Sequence, residues 1–118
     1  MAGKIAWVDL TVENAEEIKD FYHKVVGWSP DPVAMDGYND FNMIPTDSDD
    51  PSAGICHAKG TNANIPPSWM VYILVANLQE SVSACRNNGG EVLSQLTDDA
   101  KYAMIKDPAG AICMLYQE

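Results

Sequence analysis

The chain is poor in basic residues, contains a single arginine (Arg86) and has no long hydrophobic run. Seven Lys and Arg residues stand against seventeen Asp and Glu residues, which gives a net charge of −10. Such a surface repels phosphate backbones and anionic headgroups, so we expect neither nucleic acid nor a membrane as a partner. No apolar stretch approaches the roughly 20 residues that span a bilayer, and no basic start leads into a signal-peptide-like segment. We therefore expect a cytoplasmic protein.

Cysteine is scarce as well. Cys56, Cys85 and Cys113 are an odd number of cysteines, and they lie in apolar stretches. This pattern favours buried, reduced thiols over a disulfide framework. Cys56 and Cys113 are predicted to face the helices as inert packing residues, because no basic residue nearby in sequence would lower a thiol pKa.

What the chain does contain is an internal repeat. The segment DPSAGICH at 50–57 recurs as DPAGAICM at 107–114, an offset of 57 residues. The pattern V-x-N-x-x-E at 12–17 recurs at 75–80, an offset of 63 residues. A repeated unit that cannot bury its apolar face alone usually packs on its copy, so we expect the functional site between the two copies.

The hydrophobic pattern of the first copy predicts strand, helix and three further strands. Apolar residues alternate over 4–12, and Asn14 with Glu17 has the spacing of a capping box that opens a helix. Asp36-Gly37 is a typical tight hairpin between strands at 31–35 and 38–44, and a last strand follows at 53–58. The helix should bury one apolar stripe, formed by Ile18, Phe21, Tyr22, Val25 and Val26.

The second copy repeats this order. A strand at 69–75 precedes a helix opened by Asn77 and Glu80, and strands are predicted at 91–96, 102–106 and 111–117. We expect an α+β protein of two tandem β-α-β-β-β modules, residues 1–58 and 69–118, joined by a linker at 59–68. Their strands should form a curved mixed sheet around a cavity, which buries what neither module could bury alone.

Three segments resemble one known family. They are LTVEN at 10–14, FY-x-KVVGW at 21–28 and DP-x-GA at 107–111. In this order, within a duplicated frame, they are similar to the glyoxalase / bleomycin-resistance / extradiol-dioxygenase superfamily, also called vicinal oxygen chelate. The resemblance implies the predicted fold. It does not fix a reaction, because one fold hosts many functions.

Catalytic members of that family hold a divalent metal with His or Glu from the first and last strand of each copy. The matching positions here are Trp7, His57, Met70 and Met114, of which only His57 could bind a hard or borderline cation. We therefore expect no metal cofactor; a bound divalent metal would mean that this alignment of ligand positions is wrong. The single arginine also argues against a glutathione-dependent lyase, since glutathione's carboxylates usually need Arg or Lys partners.

Strand alternation identifies the side chains that should line the cavity. The last strands should contribute Ile55 and His57 in the first copy and Met114 in the second. Met and aromatic side chains dominate this lining, which suits a flat or apolar small molecule. The predicted ligand-binding residues are Trp7, Asp40, Asn42, Met70, Tyr72, Tyr102, Met104 and Met114.

Three functions remain open. The preferred hypothesis is a binding protein for a small, largely apolar or aromatic molecule. The second is a lyase, isomerase or dioxygenase-like enzyme in which Asp9 or His57 acts as general acid or base. The third is a dimeric interaction module without ligand. Trp7 also fits a core position, Asp9 a partly solvated rim and His57 a structural role, and we expect the chain to form a homodimer.

Overall fold

The computed structural model describes residues 2–118, without the side chain of Thr61, and is built from strands and two α-helices. The order β-α-β-β-β occurs twice, as predicted, and the fold class is α+β. A short 3-10 turn, Gly60–Asn62, lies in the predicted linker. The elements are β1 (Ile5–Val12), α1 (Ala15–Val26), β2 (Ser29–Ala34), β3 (Asn39–Ile44), β4 (Ala53–His57), β5 (Trp69–Leu74), α2 (Leu78–Asn87), β6 (Glu91–Val92), β7 (Tyr102–Lys106) and β8 (Ile112–Tyr116).

The chain divides into two compact units. The first unit is Val8–Trp69, and the second unit contains residues 2–7 together with Met70–Glu118. Strands of the first unit are hydrogen-bonded in the order β2-β3-β4-β1. The β2/β3 and β3/β4 pairs are antiparallel, whereas β1 and β4 are parallel. This mixed pairing follows from the β-α-β-β-β order, because α1 gives the chain room to cross over and add a hairpin.

The core of the first unit lies between its strands and α1. Leu10, Phe41, Met43 and Ile55 are buried, and Ile18 packs against them from the helix. Gly27 ends α1 in a left-handed conformation with φ 87° and donates its N–H to the His23 carbonyl. This is the conformation that glycine adopts without a steric cost at a helix end.

The apolar stripe predicted for α1 is only partly buried. Ile18 and Tyr22 pack on the core, but Phe21, Val25 and Val26 are 52%, 63% and 50% exposed. The prediction was wrong for these three because the stripe is wider than the strip of helix that contacts the sheet. Exposed apolar residues on one helix face leave a surface that could hold a partner.

The second unit has the same plan. Its strands follow the order β5-β8-β7-β6, with β5 parallel to β8 and the other pairs antiparallel. Gly3 and Lys4, just before β1, exchange backbone hydrogen bonds with Leu74 at the end of β5. Beneath α2 the core contains Leu78, Val82, Ala103 and Leu115.

The two helix starts differ. Asn77 Oδ1 accepts the Glu80 N–H at 3.0 Å, so the predicted cap is confirmed for α2. Asn14 makes no capping hydrogen bond to the backbone; its Nδ2 instead donates to Glu17 Oε2 at 2.9 Å. The start of α1 was therefore predicted correctly, although the backbone N–H groups there lack the expected side-chain acceptor.

β6 is shorter than the predicted strand 91–96. Pairing with β7 ends at Val92, after which the Leu93 N–H donates to the Met104 carbonyl and Ser94 Oγ accepts the Met104 N–H at 2.7 Å. A serine hydroxyl thus replaces the backbone partner. Over residues 2–118, no helix is long and apolar enough to cross a bilayer.

Candidate functional site

The register of β1, β3 and β4 determines which side chains of the first unit point away from α1. Leu10 pairs with Ile55, and both belong to the core beneath the helix. Neighbouring residues in a strand point to opposite faces, so Asp9 and Cys56 lie on the other side of the sheet. Members of this open face are Asp9, Thr11, Asp40, Asn42 and Cys56.

This register corrects the predicted lining of β4. Ile55 is buried on the helix side, and His57 pairs with Val12 on that same side, whereas Cys56 lies on the open face. The prediction reversed all three because it aligned the copies on their Asp-Pro turns, at an offset of 57 residues. Asp9 pairs with Gly54 as Tyr72 pairs with Met114, which makes the true offset between these strands 60. A difference of three residues exchanges the two faces.

Asp40 is the centre of a polar cluster in the first unit, which we call the Asp40 cluster (Asp9, Asp40, Cys56 and His57). Its carboxylate is buried, with 7% of the residue exposed, and Oδ1 accepts the His57 backbone N–H at 2.8 Å. The Cys56 thiol also hydrogen-bonds to this carboxylate. A buried carboxylate requires such donors, since an unpaired one would not stay ionised away from water.

The Cys56 thiol is held in its protonated form. Burial raises the pKa of Cys56 far above the ordinary thiol value, and the negative charges of Asp9 and Asp40 raise it further. Burial likewise raises the pKa of Cys113 on the helix side of the second unit. Thiolate is the reactive form of cysteine, so neither residue suits nucleophilic chemistry. Inert thiols were predicted, although for Cys56 on the wrong face.

His57 is enclosed by its neighbours. Its Nδ1 lies 3.5 Å from Asp40 Oδ1 and, over the described residues, has no hydrogen-bond partner. The Tyr38 ring meets the imidazole edge to face, with ring centroids 5.2 Å apart. Lys59 Nζ lies 4.7 Å from the centre of the Tyr38 ring, a cation–π contact. These contacts fix the imidazole in a buried place and leave it 6% exposed.

The open face of the second unit is aromatic. Tyr72 and Tyr102 meet edge to face at 6.0 Å, and Tyr102 stacks on Tyr116 at 4.9 Å with an angle of 18° between the rings. We call these three residues the tyrosine face. Met104 pairs with Met114 across β7 and β8 on the same side. Tyr102 is 51% exposed, so this face presents aromatic surface.

Corresponding positions of the two copies carry different chemistry. The strand registers match Asp9 with Tyr72, and Cys56 with Tyr116. In the same way Asp40 matches Tyr102. One copy therefore places carboxylates and a thiol where the other places phenol rings. A ligand that used both faces would meet one polar and one aromatic side, the usual composition of a small-molecule site.

The donor atoms do not suit a metal. No group of three or more His, Cys, Asp or Glu side chains within residues 2–118 is arranged to hold a metal ion. The corrected offset also moves the last-strand ligand position of the first copy from His57 to Gly54, which has no side chain. Indole and thioether remain at Trp7, Met70 and Met114. A stable zinc-type site needs three or four imidazole, thiolate or carboxylate ligands.

The structure brings some predicted residues together and not others. Asp9 and Asp40 share the open face of the first unit with Asn42, while Met70, Tyr72, Tyr102, Met104 and Met114 share that of the second. Trp7 belongs to the second unit and is half-buried. Sequence reasoning did not select Tyr116 or Cys56 as site residues. Correct strand registers would have found both, because each lies on an open face. Their roles in binding or catalysis stay predictions.

The protein has relatives in sequence and in structure. A "Putative glyoxylase CFP32" from Mycobacterium tuberculosis is 29% identical over 119 residues, which is 98% of this chain and 46% of the relative. An "Anthracycline biosynthesis protein DnrV" from Streptomyces peucetius is 27% identical over 111 residues, 92% of this chain and 39% of the relative. The chain thus spans less than half the length of these relatives.

A solved structure has the same fold. It is a glyoxalase/bleomycin resistance protein/dioxygenase superfamily member from Vibrio splendidus, with a TM-score of 0.57 and 9% identity. The match covers 95% of this chain and 97% of that one. The family model described as "Glyoxalase/Bleomycin resistance protein/Dioxygenase superfamily" matches residues 4–115. The chain therefore belongs to the glyoxalase/bleomycin resistance/dioxygenase superfamily.

Proposed function

We propose that this protein binds a small, flat, largely apolar or aromatic molecule on the tyrosine face, and that it does so without a divalent metal. The observation that carries the proposal is the row Tyr72–Tyr102–Tyr116, in which one ring is half exposed and stacked on its neighbour. A further aromatic ring gains from offset stacking on such a surface. Met104 and Met114 on the same side adapt to ligands of different shape.

The comparisons give limited support in the same direction. One relative is named for the biosynthesis of anthracyclines, which are planar polycyclic compounds. This chain matches less than half of that relative's length, so the likeness suggests a probe and does not identify the ligand. The net charge of −10 further favours a neutral or cationic molecule over an anion.

The test is a titration of the full chain with doxorubicin, a fluorescent anthracycline. We expect saturable quenching, and Tyr102→Leu should weaken binding by about tenfold because a stacking ring is lost. Phe21→Leu is the matched control, since Phe21 is 52% exposed but lies on α1 of the first unit. Equal affinities in both variants, or no saturation, would contradict the proposal.

A metal-free enzyme is the second candidate. Asp9 and Asp40 lie close enough to Cys56 to raise the pKa of its thiol, so two carboxylates share one open face. Asp40 already accepts hydrogen bonds from the His57 backbone and from Cys56, which leaves Asp9 as the better general base or acid. If an isomerase or lyase activity is found, Asp9→Asn should abolish it while the unfolding curve stays unchanged.

Self-association is favoured by a different surface. The exposed stripe of Phe21, Val25 and Val26 is the kind of apolar patch that homodimers bury. Sedimentation equilibrium of the full chain should show a dimer, and Val25→Asp should shift it toward the monomer. A monomeric wild type would remove this candidate.

A further inference from the structure

A cavity of about 280 Å³ lies on the helix side of the first unit. Leu10 and Ile18 form its floor between β1 and α1, and Phe21 flanks it on the helix. Ser68 and Trp69, where the chain enters β5, close the remaining side. All of its lining residues belong to Val8–Trp69, so the cavity is complete within one unit. Neither the Asp40 cluster nor the tyrosine face contributes to it.

Aromatic rings hold the walls of this cavity in place. Trp69 Nε1 donates to Tyr22 Oη at 3.2 Å, and the two rings meet edge to face with centroids 5.3 Å apart. Trp28 supports both, with centroids 5.8 Å from Trp69 and 5.9 Å from Tyr22. Edge-to-face pairs and a buried indole hydrogen bond restrict ring motion. The cavity is therefore largely formed before any ligand arrives, which lowers the entropic cost of binding.

Size and charge narrow the occupant. An apolar cavity of about 150 Å³ holds benzene, so roughly twice that volume fits a molecule of one substituted ring or two fused rings. No charged side chain lines the cavity; its polar side-chain groups are the hydroxyls of Tyr22 and Ser68. An ion would lose its hydration without a compensating partner. Tyr22 accepts a hydrogen bond from Trp69, and its own O–H can donate to one acceptor atom of a ligand.

We propose that this cavity is a binding site for a neutral aromatic molecule of one or two rings that carries one hydrogen-bond acceptor. The molecule lies against Trp69 and Ile18, with its acceptor directed to the Tyr22 hydroxyl. The site goes beyond the function proposed above, because it uses the helix side of the first unit rather than the open face of the second.

The test uses quinoline, a neutral two-ring molecule with one acceptor nitrogen, and the full chain. Of the three tryptophans, Trp69 should show a saturable shift of its indole N–H resonance in NMR titrations. N-methylquinolinium has nearly the same shape but carries a charge, and it should bind at least about tenfold more weakly. Because the protein is acidic, binding to its general surface would instead favour the cation, and that result would overturn the proposal.

Two variants locate the site. Ser68→Tyr places a ring at the exposed mouth of the cavity and should abolish the Trp69 shift. Tyr102→Leu, which weakens the tyrosine face, should leave quinoline binding unchanged. An unsaturable shift, or full binding by Ser68→Tyr, would refute the site. A second copy covering the cavity would also refute it, and would appear as a dimer by sedimentation that Ser68→Tyr dissociates.

Discussion

Asp40 is the residue on which the polar interior of the first unit depends. It is buried, yet its carboxylate joins β3 to the end of β4 through the His57 N–H and the Cys56 thiol. The regular β3/β4 pairing does not extend to His57, because its last paired residue in β4 is Ile55. A side-chain acceptor therefore replaces the missing backbone partner, as buried amides require.

Asp40→Ala should lower the free energy of unfolding by about 1–3 kcal/mol, because it leaves a buried N–H group without an acceptor. Urea denaturation followed by tryptophan fluorescence measures this. Asp36→Ala in the exposed β2/β3 hairpin is the control and should change stability by less than about 0.5 kcal/mol. A loss as small as that of the control would show that the hydrogen bonds to Asp40 contribute little.

Cys56 gives a pH dependence with a defined sign. Burial and the two carboxylates raise the pKa of its thiol in the folded protein above the ordinary value of 9.0. At alkaline pH the unfolded chain therefore loses this proton before the folded chain does, and unfolding becomes easier. The stabilising contribution is present below the ordinary thiol pKa and is lost as the pH rises above it.

The variant that tests this is Cys56→Ser, which keeps a hydrogen-bond donor for Asp40 but does not titrate in this range. From about pH 8 to about pH 10 the wild type should lose more stability in urea than Cys56→Ser does. Cys113 contributes equally to both chains, since its pKa is raised by burial in each. Parallel pH profiles would mean that Cys56 is not buried as described.

At the scale of elements, the turn from α2 into β6 is the tightest place in the second unit. Gly90 donates its N–H to the Cys85 carbonyl at 2.9 Å. A Cβ at this position would lie 2.5 Å from Cys85 Sγ, 3.1 Å from the Cys85 carbonyl oxygen and 3.2 Å from the Lys106 carbonyl oxygen. Glycine is needed here because helix and strand approach closely, not because of backbone conformation.

Gly90→Ala should destabilise the protein by about 1–3 kcal/mol, the usual cost of forcing extra volume into a packed site. Cys85→Ala removes the nearest atom, so Gly90→Ala should cost less in that background. The Lys106 carbonyl remains, and the recovery should be partial. A double-mutant cycle from urea denaturation gives the coupling. Additive effects would contradict the predicted contact.

At the scale of the whole molecule, each unit has a core under its own helix and an open face on the other side of its strands. The superfamily frame is preserved in both copies, while the four strand positions associated with metal binding carry indole, thioether or no side chain. The fold is thus conserved without the donor atoms that its metal-dependent members use.

Removal of metal should consequently have no effect. Dialysis against EDTA should leave the midpoint of thermal unfolding and the affinity for doxorubicin unchanged, since no described set of side chains would lose a ligand. Inductively coupled plasma mass spectrometry of untagged protein should find well under one divalent ion per chain. A stoichiometric ion that EDTA removes together with binding would reverse this conclusion.

Local chemistry was enough to predict most of the fold. Alternating apolar residues identified β1 and β5, Asn77 with Glu80 marked the start of α2, and Asp36-Gly37 marked the hairpin after β2. These signals depend on contacts between residues close in sequence. The open face of the second unit was also predicted, because its strands alternate without interruption from Tyr72 and from Met114.

The first unit shows what sequence alone could not decide. Three residues more separate Asp107 from Met114 than separate Asp50 from Gly54, so the repeated Asp-Pro turns lead into strands of different phase. Side chains alternate with a period of two, and a shift by three residues moves His57 from the open face to the helix side and Cys56 the other way. The sequence by itself determined the elements and their order. Strand pairing, which joins residues far apart in the chain, decided that carboxylates and a thiol share one open face and tyrosines the other.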